Sequence, residues 1–358
     1  MRIGIIAHLK HAIREPFAGG LEMHTSMMQS ALQRRGHEVT VFASSRSEPE
    51  TCVEAICEET SLTEVGCDEA PDKVFFQEHH AYLSLMNGLR HREFDLIHNN
   101  SLHYLPVAMA DALPMPMVTT LHTPPFAWLE SGVRLCTAPH ATFVAVSESI
   151  RRTWSRVAAI DHVILNGIDL DRFSFTAHAA AEPYWVWYGR IVPEKGLHLA
   201  IAATGLTGST LLIAGPISDQ AYFDREVAPR LNGRVRYLGH LPHSELAIVI
   251  GGARTFLCTP CWDEPYGLVV AEALACGVPV AAFARGAIPE LLDAATGVLA
   301  VPDDPASLAQ AGIAAQKLDR QACRAHAERR CDASRMIDDY EALYASLIEA
   351  ASETKFAA

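Results

Sequence analysis

No apolar run in this chain approaches the roughly 18 residues of a membrane-spanning helix. Nor is there a broad basic field. Lys and Arg number 29 against 42 Asp and Glu, for a net charge of −13. The deficit is even, with 13 Lys and Arg against 20 Asp and Glu in residues 1–170 and 16 against 22 in the remainder. Neither half supplies the positive surface that nucleic acid or an anionic bilayer requires, so no nucleic-acid partner is expected. One local exception, Arg151-Arg152-Thr153-Trp154-Ser155-Arg156, reads as the solvated face of a helix, and peripheral membrane contact there is not favoured. The nine cysteines share no repeated spacing, which fits a reducing compartment better than a disulfide framework. Cys258-Thr259-Pro260-Cys261 lacks a second pair and a nearby histidine spacing, so it is read as packing and no metal site is expected. The first residues, Met1 to His8, are too short in their apolar part for a secretory leader, and a cytoplasmic location is expected. The dinucleotide fingerprint G-x-G-x-x-G is also missing, which counts against an NAD or FAD enzyme.

What is present is a 358-residue chain, 49% hydrophobic, long enough for two domains of about 150 residues. Strand-like and helix-like segments alternate, which argues for an α/β architecture with parallel sheets. Ile3–Ala7 reads as the first strand, then a loop ending Gly19-Gly20, a helix Leu21–Arg35 stopped by Gly36, and a strand at 39–42. Strand, glycine-bearing loop, helix, strand is the phosphate-binding half of a doubly wound fold. Residues 46–73 carry nine Asp or Glu and read as a surface excursion. Phe94–Asn100 and Met117–Leu121 are buried strands, the second followed by His122-Thr123-Pro124-Pro125. Ligands collect beyond the C-terminal strand ends of open parallel sheets, so His98, Asn99, His103 and His122 face the right way, although loop or capping roles fit the first three better. A composition shift at about 170–182 marks the domain boundary. The second half restarts with strand Tyr184–Tyr188 and the turn Gly189-Arg190-Ile191-Val192-Pro193-Glu194-Lys195-Gly196. Arg190 and Lys195 flank that turn and suit a single anion, Arg as a fork and Lys as a point charge.

The stretch Cys258–Phe283 carries the densest information. Asp263 and Glu264 precede Pro265, and proline suits the first turn of a helix. From Leu268 to Cys276 the residues are almost all apolar; Gly277 and Pro279 end the helix, and Val280–Phe283 is a strand. The helix start is a ready anion site, and two carboxylates, Glu264 and Glu272, flank it. Carboxylates beside a phosphate pocket suit hydroxyl groups, and a nucleotide-sugar offers both. Glu272 inside an apolar helix needs a partner. Ile288–Leu291 and Thr296–Leu299 complete the sheet region, and Pro305 to about Ala351 reads as helical.

Gly189-Arg190, Glu194-Lys195-Gly196, Asp263-Glu264-Pro265-Tyr266-Gly267-Leu268, Glu272 to Val280 and Ile288-Pro289-Glu290 together resemble the C-terminal half of family-4 retaining glycosyltransferases. Gly19-Gly20, His122 and Asn166-Gly167-Ile168-Asp169 match the same family; the likeness spans nearly the whole chain and is loosest over 43–95. The resemblance implies the GT-B fold class, two Rossmann-like doubly wound domains facing a cleft. Its expected division is an N-terminal acceptor domain at 1–170, a C-terminal donor domain at 171–335, and a last helix at 336–358 crossing back onto the N-terminal domain. It further implies that Arg190 and Lys195 bind the donor diphosphate, Glu272 the ribose and Glu264 the sugar hydroxyls. Backbone N–H groups of Tyr266, Gly267, Leu268 and Val269 would cap sugar and phosphate. Gly19 and Gly20 would let the backbone approach the phosphate, and His122 would contact the donor sugar.

The implied reaction is hexose transfer with retention of configuration from a nucleotide-diphosphate sugar, which is a substrate rather than a cofactor. Arg190, Lys195 and the helix dipole would stabilise the leaving diphosphate, so no metal is required. UDP-hexose is the favoured donor, with the base read near Arg236-Tyr237-Leu238; the acceptor is a glycan, a lipid-linked sugar or a small metabolite. Alternatives are a GT-B sugar-nucleotide enzyme of another class, such as an epimerase, or a non-catalytic nucleotide-sugar-binding protein.

Overall fold

Short runs of Ile, Val, Leu and Ala, bounded by glycine, proline or polar residues, form 13 strands in the computed structural model, which describes residues 1–47, 52–57 and 70–357. The strands are β1 (Arg2–Ile6), β2 (Glu38–Ser44), β3 (Val53–Cys57), β4 (Leu96–Asn99), β5 (Met117–Leu121), β6 (Ala141–Ala145), β7 (His162–Val163), β8 (Tyr184–Tyr188), β9 (Thr210–Ala214), β10 (Val235–Tyr237), β11 (Thr255–Cys258), β12 (Val280–Phe283) and β13 (Gly297–Ala300). The helices are α1 (Gly20–Arg34), α2 (Ala70–Leu89), α3 (Tyr104–Ala108), α4 (Ala127–Leu135), α5 (Glu148–Trp154), α6 (Leu197–Thr207), α7 (Gln220–Tyr222), α8 (His243–Gly252), α9 (Leu268–Ala275), α10 (Ile288–Leu291), α11 (Pro305–Ala315), α12 (Arg320–Arg330) and α13 (Ala333–Ala357). The acidic stretch 46–73 falls mostly outside the described residues; within it β3 pairs in parallel with β2.

The chain divides into two units, Met1–Leu165 with Met336–Ala358, and Asn166–Arg335. In the first, all strands are parallel in the order β3-β2-β1-β4-β5-β6-β7. Alternation along each strand sends side chains to two separate cores, because successive residues point to opposite faces. Ile3, Ile5, Val39, Val41 and Val118 pack with Met28 and Leu32 of α1 and with Met336, Ile337, Tyr340 and Tyr344 of α13. Ile6, Phe42, Ile97 and Met117 face the other way, onto Tyr82, Leu85, Met86 and Leu89 of α2. The second unit repeats the scheme, in the order β10-β9-β8-β11-β12-β13. Trp185, Trp187, Leu211, Ile213, Leu257 and Phe283 pack there against α6 and α11.

In both sheets the strand order reverses beside the unit's first strand, between β1 and β4 and between β8 and β11. Loops leaving two neighbouring strands in opposite directions open a crevice at that point, where ligands bind in doubly wound folds. The loops carrying Gly19, Asn100, Arg190, Lys195 and Glu264 all leave strands at these two places.

Candidate active site

In the second unit, a single turn at Pro193–Lys195 ends at Gly196, whose φ of +66° lies in the left-handed region. A Cβ at Gly196 would stand 2.0 Å from the Thr259 carbonyl oxygen, so only glycine lets the β8 and β11 loops close on each other. The contact is then laced by hydrogen bonds. The Thr259 hydroxyl donates to the Lys195 carbonyl at 2.9 Å, the Trp187 indole donates to that hydroxyl at 2.9 Å, and the Cys261 amide donates to the Glu194 carbonyl at 2.8 Å. Thr259 and Cys261 thus hold the loop from behind, the packing role expected of the Cys-x-x-Cys segment.

This lacing brings Lys195 onto Glu264. Lys195 Nζ lies 2.7 Å from Glu264 Oε2, with side chains only 22% and 13% exposed. The Trp262 indole N–H donates to the same oxygen at 3.1 Å, and Nζ lies 5.3 Å from the Trp262 ring centre. Arg190, 3.9 Å from Glu194, is exposed, and an ion pair of that kind constrains it little. Arg190 therefore stays available to an incoming anion.

Helix α9 begins at Leu268, later than the sequence suggests, and Pro265 stands in the preceding loop instead of the first helical turn. The positive-φ Gly267 occupies the N-cap, and no side chain caps the helix. The first amides are consequently left to a ligand or water. Glu272, the fifth helical residue, is 1% exposed, and its Oε2 has no hydrogen-bond partner among the described residues. Burial pushes its carboxyl up to about 8. Tyr188, at the end of β8, is half-buried, and desolvation of its phenol, with Glu272 nearby, pushes it up. The partner that a buried Glu272 was expected to have is not supplied by the described residues, and this leaves it suited to a ligand hydroxyl. In neighbouring segments, Ile288–Leu291 forms a helical turn, α10, and Tyr237 in β10 donates its hydroxyl to the Gly215 carbonyl at 2.8 Å.

In the first unit the corresponding groups are mostly imidazoles, with one carboxylate, Glu22, among them. Gly19 caps α1 with extended backbone, and Gly20 is the first helical residue. Glu22 and His24, passed over in the sequence reading, lie on the buried side of α1. A glutamate and a histidine two residues apart directly after the glycine pair were the available signal. His8 Nδ1 stands 3.9 Å from Glu22 Oε1. His122 Nε2 lies 2.7 Å from Asn100 Oδ1, an acceptor, so Nε2–H donates and Nδ1 is left as the acceptor. The ring of His24 meets His122 edge-on at 5.1 Å, with both its own nitrogens unpartnered among the described residues. Burial, joined by the neighbouring imidazoles His24, His98 and His8, holds His122 well below the usual histidine range, so it is uncharged at neutral pH. His98 is fully buried between Tyr344 and Thr120, Asn99 donates to Thr119 at 3.3 Å, and His103 accepts from the Leu105 amide to cap α3. Those three are structural, the role that loop and capping geometry favoured.

The second unit thus carries two cations, two carboxylates and an uncapped helix start, a set of groups whose chemistry suits a nucleotide-sugar. Residues 18–172 match the model of Glycosyltransferase Family 4, and residues 171–330 match that of Glycosyl transferases group 1. The chain is 29% identical over 339 residues to glycogen synthase of Mycobacterium tuberculosis, covering 82% of this chain and 81% of that one. It is 27% identical over 337 residues to phosphatidyl-myo-inositol mannosyltransferase of the same organism, covering 88% and 86%. Sucrose-phosphate synthase of Thermosynechococcus elongatus superposes with a TM-score of 0.80 at 20% identity, over 98% of this chain and all of that one. HepE of Anabaena, in complex with UDP and glucose, gives 0.74 at 18% identity, over 97% and 100%. This chain belongs to the family-4 glycosyltransferases and has their GT-B fold. It is accordingly a retaining hexosyltransferase with a nucleotide-sugar donor. No helix among the described residues is long and apolar enough to cross a membrane.

Proposed function

We propose that this enzyme transfers a hexose from a UDP-sugar to an acceptor hydroxyl, with the donor held by Arg190, Lys195, Glu264, Glu272 and the start of α9. The observation that carries this reading is the 2.7 Å Lys195–Glu264 contact beside an uncapped helix that buries an unpartnered Glu272. Lys195 and Arg190 neutralise the diphosphate, and the amides of Tyr266, Gly267, Leu268 and Val269 cap it. Glu272 accepts from the ribose and Glu264 from the hexose. Gly19 and Gly20 give the backbone access to phosphate, and neutral His122 meets the donor sugar. The C-terminal unit serves the donor and the N-terminal unit the acceptor.

During transfer the bond between the sugar's anomeric carbon and the phosphate oxygen breaks, and a new bond to the acceptor oxygen forms on the same face. The acceptor's proton goes to the departing phosphate oxygen, so no second carboxylate is needed. Charge developing on the diphosphate is stabilised by two cations and the α9 dipole, groups already oriented before reaction. UDP is preferred because HepE has been seen with UDP and with UDP-glucose. A thermal-shift comparison of UDP, GDP and ADP at equal concentration tests the donor, since a ligand of the native state raises stability more the tighter it binds. UDP should give the largest shift, and UDP-glucose or another UDP-hexose should release UDP on turnover. A larger shift with GDP or ADP would overturn the choice of base.

A further inference from the structure

Five aromatic rings of the first unit form a continuous line from its core to its surface. Tyr82, fully buried, donates its hydroxyl to the carbonyl of Ala7, just beyond the end of β1, at 2.8 Å. Its ring packs on His103 at 4.6 Å between centres, His103 stacks on Tyr104 at 4.8 Å, Tyr104 stacks on Trp128 at 5.5 Å, and Trp128 meets Phe75 at 5.5 Å. The outer rings are open, Trp128 at 57% and Phe75 at 44% exposed. A tryptophan so exposed contributes little to the core, and contiguous exposed apolar surface of this kind marks binding sites.

The line is rigidly built. Gly132 of α4 packs on Tyr104 so closely that a Cβ there would stand 2.7 Å from the Tyr104 carbonyl oxygen, and this seats α4 and its Trp128 against α3. The Tyr104 hydroxyl pairs with His79 Nδ1 at 3.0 Å, so the ring is fixed at its polar edge too. Helices α3 and α4 follow β4 and β5, which places the line at the carboxyl ends of the strands, the edge that also carries Asn100 and His122.

We infer that Trp128, with Tyr104 and Phe75 behind it, is a stacking platform for the pyranose rings of a neutral oligosaccharide acceptor. This inference rests on the reading of the chain as a transferase to an acceptor hydroxyl, and it names the acceptor's class. Sugar rings expose an apolar C–H face that lies on an aromatic ring, and hydroxyl edges that accept from a group such as the indole N–H. Charge decides against an anionic lipid surface. Among the described side chains of α2, α3 and α4 the charged groups are Glu78, Glu130 and Arg134, and Arg134 is held by Glu130 at 2.9 Å. Lys10 beside this surface is matched by Glu78, so among the described side chains no surplus cation is left to meet a phosphate headgroup.

The test is calorimetric titration of the full chain, without donor, with maltohexaose, cellohexaose and mannohexaose, for the parent, Trp128→Ala and Trp128→Phe. At least one hexaose should bind the parent. Trp128→Ala should weaken that binding by about tenfold, as loss of an aromatic anchor does, and Trp128→Phe should restore most of it. The inference is overturned by a parent that binds none of the three, by equal affinity in Trp128→Ala, or by Trp128-dependent binding to phosphatidylcholine or phosphatidylglycerol vesicles in place of the hexaoses. UDP affinity measured on the same samples reads the donor assignment separately, so failure of either leaves the other legible.

Discussion

The two units are built on the same strand order, yet they bury opposite kinds of polar group at the ends of those strands. The first unit encloses imidazoles: His24 and His98 are fully buried, with burial holding them down to about 4 and about 3. The second encloses a carboxylic acid, Glu272, pushed up to about 8, and a half-buried ion pair, Lys195–Glu264. Glu22 apart, one copy of the scaffold presents mainly neutral imidazoles and the other a fixed ion pair. Neutral groups suit hydroxyls and uncharged sugar rings, and in the function proposed above the charged side is the one that holds the diphosphate. The contrast also sets the two units against each other in pH.

The largest effect should come from breaking the charged side. Lys195→Ala or Glu264→Ala should lower transfer by about 100-fold or more, the scale of removing a preorganised electrostatic partner, measured as UDP released from the sugar donor. Circular dichroism should stay unchanged, because both side chains lie on loops. Near-normal turnover in either variant would remove the ion pair from the site. The corresponding neutral-side variant, His122→Ala, should cost less, roughly tenfold, because a neutral imidazole contributes a single hydrogen bond.

The pH contrast gives the next two effects. A histidine whose folded value lies below its unfolded value of about 6.5 contributes stability that is present above that pH and lost as pH falls towards the folded value. For His24 and His98 this amounts to roughly 2 kcal/mol each between pH 6.5 and 5. Hydrogen exchange should therefore show β1 and β4 losing protection at pH 5 while β8 and β11 keep theirs; equal loss in both units would break the contrast. Glu272 works the other way. Its folded value is raised above the unfolded one, so the native state keeps a proton that the unfolded chain releases, and stability declines as pH rises from about 4.5 to about 8. Glu272→Gln should abolish that decline, stabilise the unliganded protein by about 1–3 kcal/mol at pH 8, and weaken UDP binding by about tenfold. Denaturant titrations at pH 6 and pH 8, with and without UDP, separate the two outcomes.

The charged side was more legible in the sequence than the neutral one, for a physical reason. Lys195, Glu264 and Glu272 are charges next to glycine, proline or an apolar helix, and each is conspicuous against such a background. The strands were legible because parallel strands buried on both faces are continuous apolar runs. His24, marked only by its spacing from Glu22 after the glycine pair, and Asn100 were less conspicuous, since a neutral polar residue on a helix or at a strand end looks the same whether it caps, packs or binds. Trp128 gave no signal, for it joins Tyr104 and Phe75 only through the fold. The start of α9 was misjudged because Pro265 is equally at home in a loop and in a first helical turn, and Gly267 decided between them.

The smallest predicted effect probes the same contrast through backbone alone. Gly36 in the first unit and Gly196 in the second both have positive φ, +86° and +66°. At Gly36 an added Cβ meets nothing within 4 Å, so Gly36→Ala carries only the left-handed backbone penalty, about 1 kcal/mol. At Gly196 the Cβ would run into the Thr259 carbonyl at 2.0 Å, a backbone atom that cannot turn aside. Gly196→Ala should therefore cost about 3 kcal/mol or more, and it should reduce UDP affinity by separating Lys195 from Glu264. Thermal denaturation with and without UDP measures both. Gly36→Ala should show a small loss of stability and unchanged turnover. If the two substitutions cost the same, the close approach of the β8 and β11 loops is not what holds the ion pair together.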